Sequence, residues 1–238
     1  MPLHVHDSWQ EIIEYAYKGL NPKYRAFLEE NESYFPKYNQ FLNAFKTLPL
    51  EQTKYILFGQ DPYPREKSAI GYAFIDGAVS SLFSKDGFSK EVNRATSLRN
   101  FLKMLLVANG TLTCKDVSQS AIAKIEKKDY INSIYELKDN FEKNGILLLN
   151  TALIFSTKEE TKYHIKEFQP FMQRLLGKLF GYDVKLILFG NMAKDIQKSL
   201  PNSIHFSAIK TLHPYNIGFI SDSSVQDFFK PMNLLVKR

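Results

Sequence analysis

The stretch Tyr55-Ile56-Leu57-Phe58-Gly59-Gln60-Asp61-Pro62-Tyr63 sets the fold expectation for this chain. Its first four residues form an unbroken apolar run, too short for a helix and without alternation, which is the pattern of a strand buried on both faces. The run then breaks at a glycine into polar residues and a proline. Three further runs share this design: Ile146 to Leu149, ending at Asn150; Val184 to Phe189, ending at Gly190-Asn191; and Ile204 to Ile209, followed by Thr211-Leu212-His213-Pro214. Segments with apolar residues three or four apart lie at Ser97 to Val107, Ile131 to Lys143 and Glu167 to Phe180. Strands alternating with helices predict an α/β protein, in one domain, whose central, mostly parallel four-stranded sheet carries helices on both faces.

The flanking segments are predicted to be helical as well. Asp7 or Ser8 is a cap for a segment in which Trp9, Ile12, Ile13 and Ala16 share a face, and Tyr24 to Phe35 repeats the spacing. Asn144-Gly145 is a helix stop before the second strand. Ser223 with Gln226 has the form of a capping box, and Pro231 should end that last helix after about two turns.

In open α/β sheets, ligands bind beyond the carboxyl ends of the strands. Asp61, Asn150 and His213 follow three of the four strand ends and are expected to converge on one cleft. An aspartate, an amide and an imidazole there suit general base chemistry on a polar ligand. Each has a plainer reading too: Asp61 as a turn residue before Pro62, Asn150 as a helix cap, His213 as a satisfied histidine before Pro214. Phe74 reads by default as core.

Composition narrows the field. Of 238 residues, 44% are apolar and 24% charged, as in a folded protein rather than a disordered one. Lysine and arginine exceed aspartate and glutamate by 31 to 25, a formal charge of +6 that favours polyanionic partners. No apolar run approaches the roughly 20 residues of a membrane helix, and residues 1–7 lack the apolar core of a secretion signal, so a cytoplasmic protein that is not secreted is expected. The single cysteine, Cys114, has no thiol partner for a disulfide or zinc site, so no structural metal is expected.

Against this background, Gly59-Gln60-Asp61-Pro62-Tyr63, followed eleven residues later by Phe74, resembles the water-activating loop of the uracil-DNA glycosylases, whose main form reads GQDPYH. The resemblance continues in order through Ser97-Leu98-Arg99-Asn100, Gly145 to Asn150, His164 and His213-Pro214, and Trp9 sits where the family often has one. It covers most of the chain and is specific to the GQDPY type. It implies a monofunctional glycosylase that needs no metal or cofactor, expected to act as a monomer on uracil in single- or double-stranded DNA. Uracil-DNA glycosylase inhibitor proteins are expected among its partners.

The resemblance also assigns roles. Asp61 and His213 are the catalytic pair: an ionised Asp61 stabilises the oxocarbenium-like sugar and orients water, while a neutral His213 donates to the developing uracil O2 anion. The Asn150 amide pairs with uracil O4 and N3–H and rejects cytosine. Tyr63 excludes the thymine methyl, Phe74 stacks on the flipped base, and the backbone near Gln60 adds donors. Ser97, Pro214, Tyr215 and Ile217 are the DNA contacts.

Three departures stand out. Where the family's late motif reads HPSPLS, this chain has His213-Pro214-Tyr215-Asn216-Ile217-Gly218, so Ile217 replaces a leucine wedge and Tyr215 and Gly218 replace serines. Pro64 replaces the histidine after the tyrosine. Phe74 and Ser97 are further apart than is usual, which predicts an inserted surface loop around 76–93. A DNA-binding module on the same fold is the main rival, although binding alone needs no aspartate and histidine at both charge-bearing positions. A glycosylase for another base conflicts with Tyr63 and Asn150 together. A small-molecule α/β hydrolase lacks the Gly-x-Ser-x-Gly elbow.

Overall fold

A computed structural model describes residues 3–192, 195–196 and 204–237. It divides into two compact units, Met1–Asp76 with Gly145–Lys210, and Gly77–Asn144 with Thr211–Arg238.

The fold is α/β. Strands β1 (Tyr55–Gly59), β4 (Ile146–Asn150), β5 (Lys185–Phe189) and β6 (Ala208–Thr211) form one sheet in the order β4-β1-β5-β6. β1 runs parallel to both of its neighbours. Ile56, Phe58, Leu147, Leu149, Leu186 and Leu188 face one core, shared with Trp9, Ile13, Phe168, Phe171 and Leu175. Leu57, Leu148 and Ile187, on the opposite face, are also buried. Burial on both sides is why these strands read as continuous apolar runs. The fourth expected strand, Ile204 to Ile209, is displaced: β6 begins only at Ala208, while Ser207 still accepts from the Leu186 amide.

Helices α1 (Gln10–Tyr17), α2 (Pro22–Glu30) and α7 (Thr161–Leu179) belong to this unit. α1 follows a 3-10 turn, Asp7–Trp9, which is capped by the His6 ring rather than by Asp7 or Ser8. α2 stops at Glu30, short of the expected Phe35, because Phe35 instead pairs antiparallel with Phe155 and precedes Pro36, which disfavours helical backbone. α7 starts six residues before the expected Glu167, and Pro170 stands inside it.

The second unit holds a hairpin of β2 (Phe83–Ser84) and β3 (Gly87–Phe88), then α3 (Lys90–Arg94), α4 (Thr96–Ala108), α5 (Gln119–Ala123), α6 (Ile134–Lys143) and α8 (Ser223–Phe229). The segment expected as a surface loop around 76–93 is thus a hairpin and a short helix, anchored by buried Leu82, Phe83, Phe88 and Val92. Phe101 of α4 packs its ring on Phe141, Phe219 and Phe229. α6 begins at Ile134 rather than Ile131, because Ser133 and Glu136 form a reciprocal capping box. α8 is capped by Asp222, not Ser223: its carboxylate accepts from the Ser224 and Val225 amides, as a residue outside the helix is placed to do. α8 ends at Phe229, two residues before Pro231, as the proline predicts.

Candidate active site

In the first unit, the candidate residues gather where β1 and β4 end side by side. The parallel register sets Gly59 opposite Asn150. Asn150 is 6% exposed, and a Cβ on Gly59 would run into its side-chain Oδ1. Only glycine at this position lets the amide lie across the end of β1. The ladder continues beyond the strands: the Thr151 amide donates to Gly59 O at 2.9 Å and the Ala152 amide to Gln60 O at 2.9 Å. The Thr151 hydroxyl also donates to Gln60 O, at 2.7 Å. The exposed Gln60 thus enters the site through a fixed backbone.

Asp61 follows, half-buried, with its Oδ2 accepting from the Thr161 hydroxyl at 3.3 Å. Burial pushes the Asp61 carboxyl up, and the Thr161 hydroxyl pulls it back down. Tyr63 is half-buried, and its hydroxyl reaches Phe74 O at 3.5 Å. Burial, with the Asp76 carboxylate beside it, raises the Tyr63 phenol, so it stays neutral. Arg65, beyond Pro64, pairs with the buried Asp76 carboxylate at 3.5 Å and ties the two ends of this loop together. Phe74 has a φ of 67°, in the left-handed region that non-glycine residues rarely occupy. Its ring meets Phe189 edge-on at 5.3 Å and keeps part of its surface open. A strained aromatic held partly exposed in a loop packed this tightly fits a binding residue better than the core residue expected by default.

The second unit carries the remaining candidates. His213 is exposed, yet the protein around it still lowers its imidazole by withholding water from the charged form. The Tyr215 amide donates to His213 Nδ1 at 3.0 Å. A ring nitrogen that accepts carries no proton, so the neutral ring bears its proton on Nε2 and is a donor there. The Asn216 amide donates to His213 O at 2.8 Å, and the Asn216 side chain caps the following 3-10 turn, Ile217–Ser221. Pro214 is buried, and the Asn100 side-chain amide, itself 2% exposed, donates to Pro214 O at 2.8 Å. Tyr215 and Ile217 stand out from this loop, 71% and 69% exposed. Ser97 is the second residue of α4, whose N-terminus has no side-chain cap, so its first-turn amides suit an anion.

The sequence reading gave Gly59, Asn100 and Thr161 no function. The steric need for Gly59 follows from a register that one sequence does not state. Asn100 was visible only as part of a motif. Thr161 was hidden because the helix it opens was expected to start later. His164 is 1% exposed, between the Tyr24 hydroxyl and the Ser156 hydroxyl, each at 2.7 Å. Among the described residues, no three of His, Cys, Asp and Glu gather as a metal-binding group, and no helix is long and apolar enough to cross a membrane.

No family model matches the chain. The wild-type UNG crystal structure from Nitratifractor salsuginis is similar to it, with a TM-score of 0.96 and 46% identity over 99% of this chain and 94% of that one. A uracil-DNA glycosylase of Fusobacterium nucleatum is 27% identical over 216 residues, 88% of this chain and 81% of the relative. A mimivirus UNG crystallised in complex with UGI, 16% identical with a TM-score of 0.59, covers 97% of this chain and 87% of its own and is alike in fold.

Proposed function

This chain belongs to the uracil-DNA glycosylase family, and from that premise we propose that it is a GQDPY-type, monofunctional enzyme that hydrolyses the N-glycosidic bond of deoxyuridine in DNA. The observation that carries the proposal is the buried Asn150 amide, held across Gly59 in the same unit as the partly open Phe74 ring and Tyr63.

The substrate nucleotide must leave the base stack before its base can be read. Phe74 then stacks on uracil, a contact worth about 1–3 kcal/mol in single-strand binders. Asn150 accepts from N3–H and donates to O4. Cytosine, with a bare N3 acceptor and an amine in place of O4, reverses that pattern and is refused. Tyr63 occupies the space that the thymine methyl would need.

Breaking the C1′–N1 bond leaves positive charge on the sugar and negative charge on uracil. Asp61, ionised, stabilises the first and orients the water whose oxygen bonds to C1′. His213 meets the second: its Nε2–H donates to uracil O2, and a neutral donor keeps its proton while charge builds on the base. One proton of that water leaves to solvent by way of Asp61 while the other stays on the new C1′ hydroxyl, and the uracil anion takes up a proton after release. These steps call on no metal or cofactor.

DNA is held by the first turn of α4 with Ser97, by the Pro214–Tyr215 backbone and by Ile217 as the apolar wedge in the vacated stack. The exposure of Tyr215 and Ile217 supports these roles. The enzyme acts as a monomer in the cytoplasm, and proteins that inhibit uracil-DNA glycosylases are its expected protein partners.

The test is incubation of the purified protein with a uracil-containing oligonucleotide in EDTA, followed by alkaline cleavage of abasic sites. Strand breaks at the uracil position are expected. An intact strand at high enzyme concentration overturns the proposal.

A further inference from the structure

We infer that Thr161, the first residue of α7, is a positioning residue that holds the Asp61 carboxylate by its Oδ2 and commits Oδ1 to the attacking water. The inference rests on the glycosylase reading of Asp61 and goes beyond it to a group that neither sequence motif nor composition marks.

The geometry is direct. Thr161 Oγ1 lies 3.3 Å from Asp61 Oδ2, bringing together two residues 100 positions apart in sequence. An ionised carboxylate only accepts, so the threonine hydroxyl is the donor. Thr161 also opens a 19-residue helix whose N-cap, Glu160, makes no side-chain cap.

The first turn of α7 is itself fixed. The Ser156 hydroxyl donates to Glu160 Oε2 and meets His164 Nε2 at 2.7 Å, and the other ring nitrogen of His164 meets the Tyr24 hydroxyl of α2 at 2.7 Å. This arrangement turns the titratable groups of that turn elsewhere: Glu160 to Ser156, and His164 to Tyr24 and Ser156. Glu159, Lys162 and Tyr163 are exposed. On the strand side, Arg65 pairs with Asp76 and the Tyr63 hydroxyl turns to Phe74 O. Burial and the Thr161 hydroxyl are thus the two influences on Asp61, and they oppose each other.

The sign follows from that opposition. The hydroxyl favours the charged carboxylate and lowers its pKa, so removing it lets burial act alone and raises the pKa. Asp61 is then protonated at higher pH, and the acid limb of the rate profile moves up. A residue with only a structural role would lower the rate equally at every pH.

The experiment compares single-turnover uracil release by the full-length wild type, Thr161→Val and Thr161→Ser between pH 5 and 9. Valine keeps the shape and removes the donor, while serine keeps the donor. Expected for Thr161→Val is an acid limb displaced upward, with about a tenfold loss on that limb, the lower end for a hydrogen bond to a charged group, and a small change on the alkaline plateau. Thr161→Ser should restore the wild-type profile. A Thr161→Val profile that is parallel to or coincides with the wild type overturns the inference. The titration of the Asp61 carboxyl carbon by NMR, assigned with Asp61→Asn, judges the same point without turnover: an upward shift in Thr161→Val supports it, and an unmoved titration overturns it. A wild type that releases no uracil refutes the proposed function instead, and leaves the NMR result to decide the effect of the hydroxyl.

Discussion

Replacing Gly59 with alanine should disable base reading through one methyl group. The new Cβ would lie inside the contact distance of Asn150 Oδ1, and at 3.1 Å from the Ala73 Cβ. Normal contact requires the amide to retreat by about 1 Å. Displacement on that scale costs about 100-fold in rate when it misplaces a group that touches the reacting molecule. The fold should survive. Gly59 is not in the left-handed region, so alanine fits its backbone. Overpacking costs about 1–3 kcal/mol, and the loss of unfolded-state freedom returns about 0.4–1 kcal/mol, so a fall in Tm of several degrees is the upper expectation. The assay is single-turnover uracil release with a melting curve for Gly59→Ala, Asn150→Ala and the double variant. Because the methyl acts through the amide, the double variant should be no slower than Asn150→Ala. Losses that multiply in the double variant, or full activity in Gly59→Ala, would refute the reasoning.

Asp61→Asn and His213→Ala should each slow single-turnover cleavage by about 10²–10³-fold, the range for removing one group that meets transition-state charge, with DNA binding nearly unchanged; a loss below about threefold would show a misassigned role. Tyr63→Ala should release thymine from DNA and Asn150→Asp should release cytosine, tested on matched oligonucleotides; an Asn150→Asp protein with full uracil activity would contradict edge reading. Ile217→Ala should lose about tenfold on duplex uracil, from about 1.5 kcal/mol of wedge contact, and less on single strands. Since Ile217 is 69% exposed, its Tm should hold, and equal losses on both substrates would reject the wedge. Burial lowers the His164 imidazole below its ordinary value, so as pH falls the unfolded chain takes up the proton first. The stability contribution is therefore complete above the ordinary imidazole pKa and is lost as pH falls below it, until the folded pKa is passed. Tm measured from pH 8 to 5 should decline, and His164→Gln should flatten that decline; an equally steep decline in the variant counts against the assignment.

Much of the fold was legible because parallel strands buried on both faces leave an unmistakable pattern: the runs at 55, 146 and 184 became β1, β4 and β5 within a residue at their ends. The fourth run misled because Ile204 to Ile209 is apolar in part without being paired throughout, and pairing is a tertiary fact. The 76–93 segment misled differently. Its length implied an insertion, and insertions are solvated by default, but Leu82, Phe83, Phe88 and Val92 have partners that no local pattern reveals. Site residues Asp61, Tyr63, Phe74, Asn150 and His213 came from motif order. Their supports did not. Thr161, Gly59 and Asn100 act through registers, helix starts and loop contacts that exist only once the chain has folded.

With Phe74 as the proposed stacking residue, its left-handed backbone carries a consequence for the search along DNA. A non-glycine residue held there costs about 1–3 kcal/mol, met once, when the chain folds. Had the ring been left to relax and swing back at each encounter, that ordering cost would recur with every base sampled. A genome offers very many normal bases for each uracil, so a surface that is already shaped on arrival tests each one at the speed of contact, and lets a mismatch depart without having reorganised the protein.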